Sequence, residues 1–190
     1  RIHYIASQDR TLGIAENTNQ AYTLAMGDYI VFGDHDDLFE PDALYACVES
    51  LNAKRVQVIY TDEDKVDETG HMFVAEKNLV DQVGLLNPAF DGAQDYDFIF
   101  RCTEQADGIC HIPKILYHWR AHAASTAEDP TAKRYAFEAG KRAIEAHLAR
   151  QGLAAEVVDG AAPGYYQVSY LVRGEPLVSI VIPNKIGRAH

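Results

Sequence analysis

Apolar runs and helical patterns alternate through the first half of the chain. The runs predict strands at "IHYIAS", "DYIVFGD" and "VQVIYTDED". Apolar positions at helical spacing predict helices at "AENTNQAYTLAM" and at "EPDALYACVESL", where Pro41 stands near the first turn. This alternation is typical of an α/β domain in which a mostly parallel sheet is flanked by helices.

The second half continues with longer elements. A short helix is predicted near "NLVDQVG", a loop through "NPAFDGA" and a helix over "QDYDFIFRCTEQA". "GICHIPKILYHWRAH" is strand-like, and Pro113 in it indicates an edge or a bend. The segment "DPTAKRYAFEAGKRAIEAHLARQG" has the clearest helical pattern, and the short strands "AAEVV" and "GYYQVSYLV" follow it.

A cluster of carboxylates follows the predicted strand "DYIVFGD". Side chains alternate along an extended chain, so Asp34 and Asp36 point to one side and Asp37 to the other. Two carboxylates ~4 Å apart repel by ~4 kcal/mol at an effective dielectric constant of about 20, and a cation relieves that repulsion. In open α/β sheets ligands bind at this end of the strands.

The ligand types point to a particular substrate class. Magnesium- and manganese-type ions take oxygen ligands and are commonly held by one or two carboxylates together with substrate phosphates. The cluster therefore predicts a Mn²⁺ or Mg²⁺ site and a nucleotide-diphosphate substrate. The structural alternative is that Asp37 and Glu40 cap the following helix and that Asp34 is a solvated loop acid.

Composition narrows the classes of function. The chain has 190 residues, 47% of them hydrophobic, which suits one globular domain, and its net charge of −11 argues against nucleic acid as a partner. No apolar run reaches the roughly 18 residues of a membrane-spanning helix. The widely spaced cysteines, Cys47, Cys102 and Cys110, are expected to be reduced core thiols in a reducing, cytoplasmic compartment.

Several blocks resemble the signature blocks of bacterial family 2 glycosyltransferases, of the tandem-domain type found in O-antigen and cell-wall polysaccharide assembly. The blocks are "GIAENTNQAYTLAMGDYIVFGDHDDLFEPDAL", "VIYTDEDK", "FDGAQDYDFIFR" and "IPKILYHWRAHAASTA", in the order expected for the family. The resemblance implies a GT-A fold, a Rossmann-like sheet that binds a nucleotide sugar and a divalent metal and transfers the sugar with inversion.

The resemblance also implies roles for residues near the metal and the donor. Asp34 and Asp36 stand at the family's DxD positions as metal ligands, and Asp37 beside them is a donor-side residue. His122 is expected to complete the metal shell, and Arg120 to hold the diphosphate. The same block matches place two further residues near the nucleotide, Gly13 and Asn19.

A separate carboxylate is expected to act as the base. Inverting transfer needs one group that takes the proton of the attacking hydroxyl. In "DGAQDYDF" Asp95 matches the position of the family's base, and the start of a helix favours its ionised form. Its neighbours Asp91, predicted as an N-cap, and Asp97, predicted as a first-turn acid, are expected to be structural.

Another group of polar residues is assigned to the donor or the acceptor. "YTDEDK" ends the third predicted strand and should therefore lie at the same edge of the sheet as the first acids. A solvated acidic loop explains this group equally well. The residues assigned to the donor or acceptor are Asp62, Asp64, Lys65 and Gln94.

The chain also departs from the family pattern. A first strand ending in Pro-x-Tyr/Phe-Asn is missing before Arg1, and the region near residues 74–78 is shorter than in the family, which indicates an internal deletion. The predicted organisation is an N-terminally truncated transferase domain at 1–172, a linker at 173–176 and the first strand of a following domain at 177–184. Residues 185–190 are interpreted as a non-native tail.

These observations support one leading hypothesis and one alternative. The leading hypothesis is an inverting, metal-dependent transferase of the hexosyl or rhamnosyl type, which moves sugar from a nucleotide-diphosphate donor to a glycan or lipid-linked glycan. We expect it at the cytoplasmic face of the inner membrane, beside a second transferase domain in the same chain. The alternative is a catalytically inactive, transferase-like domain that binds metal or glycan or serves as a scaffold.

Overall fold

The structure is a computed structural model of the chain. It describes residues 3–5, 12–34, 37–62, 72–118 and 134–171, together with the single residues 174, 177 and 179. Five helices lie in these ranges: α1 (Ile14–Tyr22), α2 (Ala43–Ala53), α3 (Lys77–Val83), α4 (Gln94–Gln105) and α5 (Arg134–Arg150). The strands of the described ranges are β1 (Tyr29–Val31), β2 (Leu38–Phe39), β3 (Val58–Asp62), β4 (Phe73–Glu76), β5 (Ile109–Ile115), β6 (Tyr117–His118), β7 (Ala155–Asp159) and β8 (Tyr166–Tyr170). A short 3-10 helix, Pro88–Phe90, precedes α4.

The central sheet has four strands in the order β1-β4-β3-β5. β4 pairs antiparallel with both β1 and β3, and β3 pairs parallel with β5, so β1, β3 and β5 run in one direction. The α/β fold class is confirmed, but β4 runs against its neighbours within the sheet. The strands β2 and β6 form a separate antiparallel pair, as do β7 and β8.

Helices cover both faces of this sheet because the side chains of its buried strands alternate between two cores. On β3, Val58 joins the core under α3 and α4, and Ile59 joins the core under α2. β4 alternates in the same way, with Phe73 on the α4 side and Val74 on the α2 side. Every strand residue of β4 is buried, as expected for a strand covered on both faces.

Helix α5 and the β7–β8 hairpin extend the domain beyond the sheet. α5 packs on α4, and β7 packs on α5. The hydroxyl of Tyr166 in β8 donates a hydrogen bond to the carbonyl oxygen of Phe137 in α5, at 2.6 Å. Gly152, at φ 64°, ends the helical segment where the sequence predicts its stop.

Most predicted elements are found, with shifted ends. α1 stops at Tyr22 rather than continuing to Met26, because backbone N–H groups after it bond three residues back, which tightens the last turn. The strand predicted at residues 2–7 is wrong for its described residues 3–5, which have no regular secondary structure. Residues 178, 180–190 and most of the predicted linker lie outside the described ranges.

The predicted edge position of Pro113 is confirmed. β5 lies at the edge of the sheet, and its pairing with β3 shifts register between Thr61 and Asp62, opposite Pro113 and Lys114. Proline lacks the N–H group that a ladder needs, so it is tolerated at such an irregularity of an edge strand.

Two further sequence predictions concern the cysteines and the membrane. Cys47 and Cys102 are buried and Cys110 is half-buried, and all three are free thiols, as predicted. Burial raises the pKa of Cys102 to about 12. Within the described ranges no helix is both long and apolar enough to cross a membrane.

Candidate active site

Asp34 lies just beyond the end of β1, where the hydroxyl of Tyr117 holds the backbone. The N–H group of Asp34 donates a hydrogen bond to the Tyr117 hydroxyl at 3.1 Å, and that hydroxyl donates to Oδ2 of Asp37 at 2.5 Å. Burial raises the pKa of Tyr117 above its ordinary value, and the hydrogen bond to Asp37 adds to the shift. One phenol therefore joins both described acids of the cluster.

The β2–β6 pair positions Tyr117 beside the acidic loop, which is the segment from Asp34 to Asp37 between β1 and β2. Phe39 is the register partner of Tyr117, and their rings meet edge to face with centroids 4.9 Å apart. A side chain at Gly33 would have no room, since its Cβ would lie 2.7 Å from the Phe39 ring. The sequence hypothesis missed Tyr117, although a tyrosine in the apolar "KILYHW" strand needs a partner for its buried hydroxyl.

Glu40 also bonds to the β5–β6 segment. Its N–H donates to the carbonyl oxygen of Leu116 at 3.0 Å, and its Oε1 lies 2.6 Å from Nε2 of His118. The N-cap of α2 is Asp42. The side chains of Glu40 and Asp37 thus attach the acidic loop to β6. Neither residue is the N-cap of α2, which differs from the structural alternative considered for the sequence.

Asp62 lies at the same edge of the sheet as Asp34. One row of paired residues crosses the sheet from Val31 on β1 through Val74 on β4 to Ile59 on β3. Asp34 comes three residues after Val31, and Asp62 comes three residues after Ile59. Since β4 separates the two strands, their axes are about 10 Å apart. Oδ1 of Asp62 lies 2.6 Å from Nε2 of His111 on β5.

Helix α4 runs so that its first turn points to this edge. Its C-terminal end lies at the start of β3, where Asp107 N–H donates to the side chain of Gln57. Near its start, the ring of Phe98 meets that of Phe32 edge to face at 5.2 Å, and Phe32 comes two residues before Asp34. The start of α4 therefore lies beside the end of β1.

Asp95 and Gln94 open α4. Asp95 is exposed, and its Oδ1 accepts a hydrogen bond from the N–H of Tyr96 at 2.9 Å. Gln94 folds back, and its Oε1 accepts from the N–H of Gly92 at 2.8 Å. Asp95 thus presents a carboxylate to solvent at a helix start, while Gln94 stabilises the preceding turn.

Asp97 and Asp91, the aspartates on either side of Asp95 in the sequence, make hydrogen bonds within the fold. Asp97 is buried and accepts hydrogen bonds from Arg101 at 2.9 Å and from Arg150 at 3.4 Å. The N-cap of α4 is Ala93, so the N-cap prediction for Asp91 is wrong. Asp91 instead accepts from the N–H of Ala15 at 3.0 Å and caps the start of α1.

Gly13 and Asn19 have different positions along α1. Gly13 is the N-cap, and a Cβ there would lie 2.4 Å from Oδ2 of Asp91. Asn19 lies mid-helix, where its amide donates to the carbonyl oxygen of Leu86 at 2.7 Å and accepts from its N–H at 3.0 Å. The amide of Asn19 therefore fastens the α3–α4 connection to α1.

The start of α1 also lies at the carboxyl edge. Tyr22, at the other end of α1, accepts a hydrogen bond from Lys77, whose N–H donates to the Asp28 carbonyl just before β1. The end of α1 therefore lies near the start of β1. The first turn of α1 is bonded to Asp91, which comes three residues before α4 begins at the carboxyl edge. Helix N-termini favour anions, and the carboxylate of Asp91 occupies this one.

The remaining predicted site residues, Asp36, Asp64, Lys65, Arg120 and His122, lie outside the described residues. Within the ranges that are described, no group of three or more His, Cys, Asp or Glu side chains is arranged to hold a metal ion. The described member of the predicted metal set is Asp34, whose exposed carboxylate offers the oxygen ligands that Mg²⁺ and Mn²⁺ prefer.

Comparison with known proteins identifies relatives of the chain. A family model described as Glycosyl transferase family 2 matches residues 1–102. The uncharacterized protein y4gI of Sinorhizobium fredii is 41% identical over 199 residues, which cover 90% of this chain and 22% of that protein. The O-antigen biosynthesis protein RfbC of Myxococcus xanthus is 35% identical, over 90% of this chain and 15% of its own length. The chain thus spans less than a quarter of either relative.

Solved structures agree in fold. The crystal structure of S. aureus TarS 1-349 in complex with UDP-GlcNAc aligns with a TM-score of 0.59 at 15% identity, over 72% of this chain and 47% of that one. The crystal structure of S. aureus TarS 1-349 aligns with a TM-score of 0.57. The predicted GT-A architecture is confirmed by this likeness.

Proposed function

Because the chain belongs to glycosyl transferase family 2, we propose that it transfers a sugar from a nucleotide-diphosphate donor to a hydroxyl group of a growing glycan. The donor class is supported by the crystal structure of S. aureus TarS 1-349, which is in complex with UDP-GlcNAc. The acceptor class is supported by the name of RfbC, which refers to O-antigen biosynthesis. Transfer of the hexosyl or rhamnosyl type is part of the proposal.

One observation carries the proposal: the Phe32–Phe98 contact brings the end of β1, with Asp34, beside the first turn of α4, with Asp95. Two carboxylates with different surroundings thus share one edge of the sheet. Inverting transfer requires this division, because the acceptor hydroxyl, which gives its proton to the base, attacks the anomeric carbon from the face opposite the leaving diphosphate.

Asp95 is the proposed base. It is exposed in the first turn of α4, where an acceptor hydroxyl can reach its carboxylate and transfer a proton to it. The buried Asp97 is bonded to Arg101 and Arg150 and is unsuited to this role.

Asp34, Asp36 and His122 are the proposed holders of Mn²⁺ or Mg²⁺. Asp34 fits such an ion by its exposed oxygen ligands and by its position at the end of a strand. A bound ion supplies positive charge that stabilises the leaving diphosphate. Asp37 contributes by holding the loop through Tyr117, and Gly13 at the start of α1 is proposed to lie near the nucleotide. Arg120 is proposed to bind the diphosphate.

The experiment compares variants of the protein in nucleotide release from UDP-, GDP- and dTDP-sugars in the presence of Mn²⁺ and a glycan acceptor. Asp95→Asn keeps the side-chain volume and removes the base, so we expect turnover to fall by about 10²–10⁴-fold. Asp36→Ala is expected to abolish turnover through loss of the ion. The matched control is Asp107→Asn, an exposed acid at the opposite end of α4. Normal turnover of Asp95→Asn would contradict the proposal.

Calorimetry separates catalysis from the alternative role as a binding module. Titration with Mn²⁺ and then with each nucleotide sugar is expected to show binding of both. Binding of metal without any nucleotide sugar favours the non-catalytic, metal- or glycan-binding domain. We further propose that the protein acts at the cytoplasmic face of the inner membrane and that a second transferase domain occurs in the same chain.

A further inference from the structure

Arg101 of α4 donates four hydrogen bonds from its guanidinium group. Nε donates to Oδ2 of Asp97 at 2.9 Å, and Nη2 donates to the carbonyl oxygen of Leu85 at 2.9 Å. Nη1 donates to two carbonyl oxygens, that of Val83 at 2.7 Å and that of Gly84 at 2.8 Å. All three nitrogen atoms are therefore used inside the fold, and a planar guanidinium group fixes the geometry of its partners more strictly than an ammonium group does.

The connection between α3 and α4 is shaped around this guanidinium group. Three successive residues, 83–85, direct their carbonyl oxygens to it. The chain reaches this arrangement through Gly84, which has φ 84° and ψ 161°, a backbone conformation essentially restricted to glycine. Such backbone persists where the surrounding contacts determine it, and it is concentrated at functional sites. The path of the chain from α3 toward α4 is therefore set by its contacts with Arg101.

Asp97 connects Arg101 to the first turn of α4. Its side chain is 2% exposed, and it also accepts a hydrogen bond from Arg150 of α5 at 3.4 Å. A buried carboxylate is costly unless it is paired, so the position of Asp97 follows that of its arginine partners. Asp97 comes two residues after Asp95 in the same turn.

The same guanidinium group contacts the side chain that joins α4 to β1. It lies over the ring of Phe98, 5.6 Å from the ring centroid. Phe98 meets the ring of Phe32, two residues before Asp34. Arg101 therefore contacts both Asp97 and Phe98, the side chains that attach the start of α4 to the rest of the fold.

The start of α4 depends on these contacts because its N-cap is Ala93, whose methyl side chain cannot accept a hydrogen bond. The first N–H groups of a helix have no partner within the helix, and helix ends fray. Gln94 and Asp95 bond only to N–H groups beside them in the sequence, those of Gly92 and Tyr96. These local bonds do not fix the turn against another element.

We propose that Arg101 is the positioning residue for Asp95. This inference rests on the proposed function, in which Asp95 takes the proton of the acceptor hydroxyl. Arg101 acts through Asp97 and Phe98, which fix the first turn of α4 against the α3–α4 connection and the sheet. The carboxylate of Asp95 is thereby held in place relative to Asp34. A displacement of ~1 Å at a catalytic group can lower the rate by about 10²-fold.

The test measures nucleotide release by the full chain with Mn²⁺, a UDP-, GDP- or dTDP-sugar, and chitotetraose, cellotetraose or mannotetraose as the acceptor. Arg101→Lys keeps the positive charge but loses the planar fork that bonds Asp97 and three carbonyl oxygens together. We expect kcat to fall about ten- to hundredfold, with KM for the nucleotide sugar unchanged within about twofold. A rise in KM at unchanged kcat would contradict the positioning role.

A double-mutant cycle with Asp95→Asn separates positioning of the base from a general structural role. If Arg101 acts through Asp95, Arg101→Lys should lower kcat by less than about twofold once Asp95→Asn has removed the base. The same fold loss in both backgrounds would overturn the inference, because a general structural defect lowers the two activities equally. If urea denaturation shows Arg101→Lys to be unfolded at the assay temperature, Asp97→Asn, which keeps the side-chain volume, replaces it in the cycle with the same expectation.

The control is Arg134→Lys, which should keep the turnover of the unmodified protein. Arg134 pairs with Glu138 on the surface of α5 at 3.0 Å and has the same four-residue spacing as the Arg101–Asp97 pair. Absence of turnover in the unmodified protein, or normal turnover of Asp95→Asn, would overturn the proposed function and this inference with it. Impaired turnover of Asp95→Asn together with an undiminished effect of Arg101→Lys in that background counts against the positioning role alone, so the two failures are distinguishable.

Discussion

Tyr117 donates its hydroxyl hydrogen to Asp37 at 2.5 Å, across 80 residues of sequence. The same hydroxyl accepts from the N–H of Asp34 at 3.1 Å. The acidic loop after β1 therefore takes its shape from β6, a strand that lies much later in the chain. A metal site at Asp34 would depend on this contact as much as on the carboxylates.

Tyr117→Phe is expected to loosen the loop at a small cost in stability. Loss of the hydroxyl leaves the half-buried Asp37 carboxylate and the Asp34 N–H without this partner, which costs about 1 kcal/mol of unfolding free energy. We expect affinity for Mn²⁺, measured by calorimetry, to fall severalfold. Urea denaturation measures the stability change.

Tyr166→Phe provides the matched control for Tyr117→Phe. It removes a tyrosine hydroxyl that donates to the backbone of α5 at 2.6 Å, far along the chain from the acidic loop. Its stability should fall by a similar amount while its affinity for Mn²⁺ stays unchanged. Equal affinities in both variants would show that the Tyr117 contact has no part in metal binding.

Local sequence patterns predicted the elements of this fold better than the contacts between them. The apolar run before Asp34 and the helical pattern after Gln94 identify β1 and α4, because each pattern arises within one element. The Tyr117 bond to Asp37 and the Asp91 cap on α1 join distant segments and have no local periodicity. The antiparallel course of β4 likewise depends on its neighbours.

Gly92→Ala is expected to destabilise the turn before α4 by about 2–4 kcal/mol. Gly92 has φ 94°, which is costly for residues with a Cβ. A Cβ would also lie 2.5 Å from the ring of Tyr135 and 2.9 Å from the Ala136 backbone, so α5 would have to move. Chemical denaturation measures the loss.

Gly152→Ala separates the two contributions in Gly92→Ala. Gly152 also has positive φ, 64°, but a Cβ there meets nothing within 4 Å. We expect only the conformational cost, about 1–2 kcal/mol. If both variants lose the same unfolding free energy, the close approach of α5 to Gly92 contributes nothing to the cost of the Gly92→Ala substitution.

Asn19→Ala is expected to lower the unfolding free energy by about 1–3 kcal/mol. The amide of Asn19 makes hydrogen bonds of 2.7 and 3.0 Å with the backbone of Leu86, whose side chain is buried. Without Asn19, both backbone groups of Leu86 lose their partner. The control is Asn52→Ala, an exposed position on α2 that should not be destabilised. Wild-type stability of Asn19→Ala would refute this structural role.

Glu104 is expected to contribute stability that disappears in acid. Its carboxylate is 4% exposed and bonds to Arg150 at 2.8 Å and to His147 at 2.7 Å. Burial alone raises the pKa of Glu104, but the hydrogen bonds from Arg150 and His147 outweigh it and hold the pKa below its ordinary value of 4.5. A lowered folded-state pKa stabilises the fold above the unfolded-state pKa, and this contribution is lost as pH falls through the folded-state value.

The pH dependence of unfolding in Glu104→Gln tests this contribution. We expect the unfolding free energy of the unmodified protein to fall as the pH drops below about 4.5. Glu104→Gln should be less stable at neutral pH, because Arg150 and His147 lose their charged partner, and its stability should fall less steeply in acid. Glu156→Gln, an exposed acid on β7, is the control and should keep the wild-type profile. A profile of Glu104→Gln that runs parallel to the wild-type curve would contradict the lowered pKa.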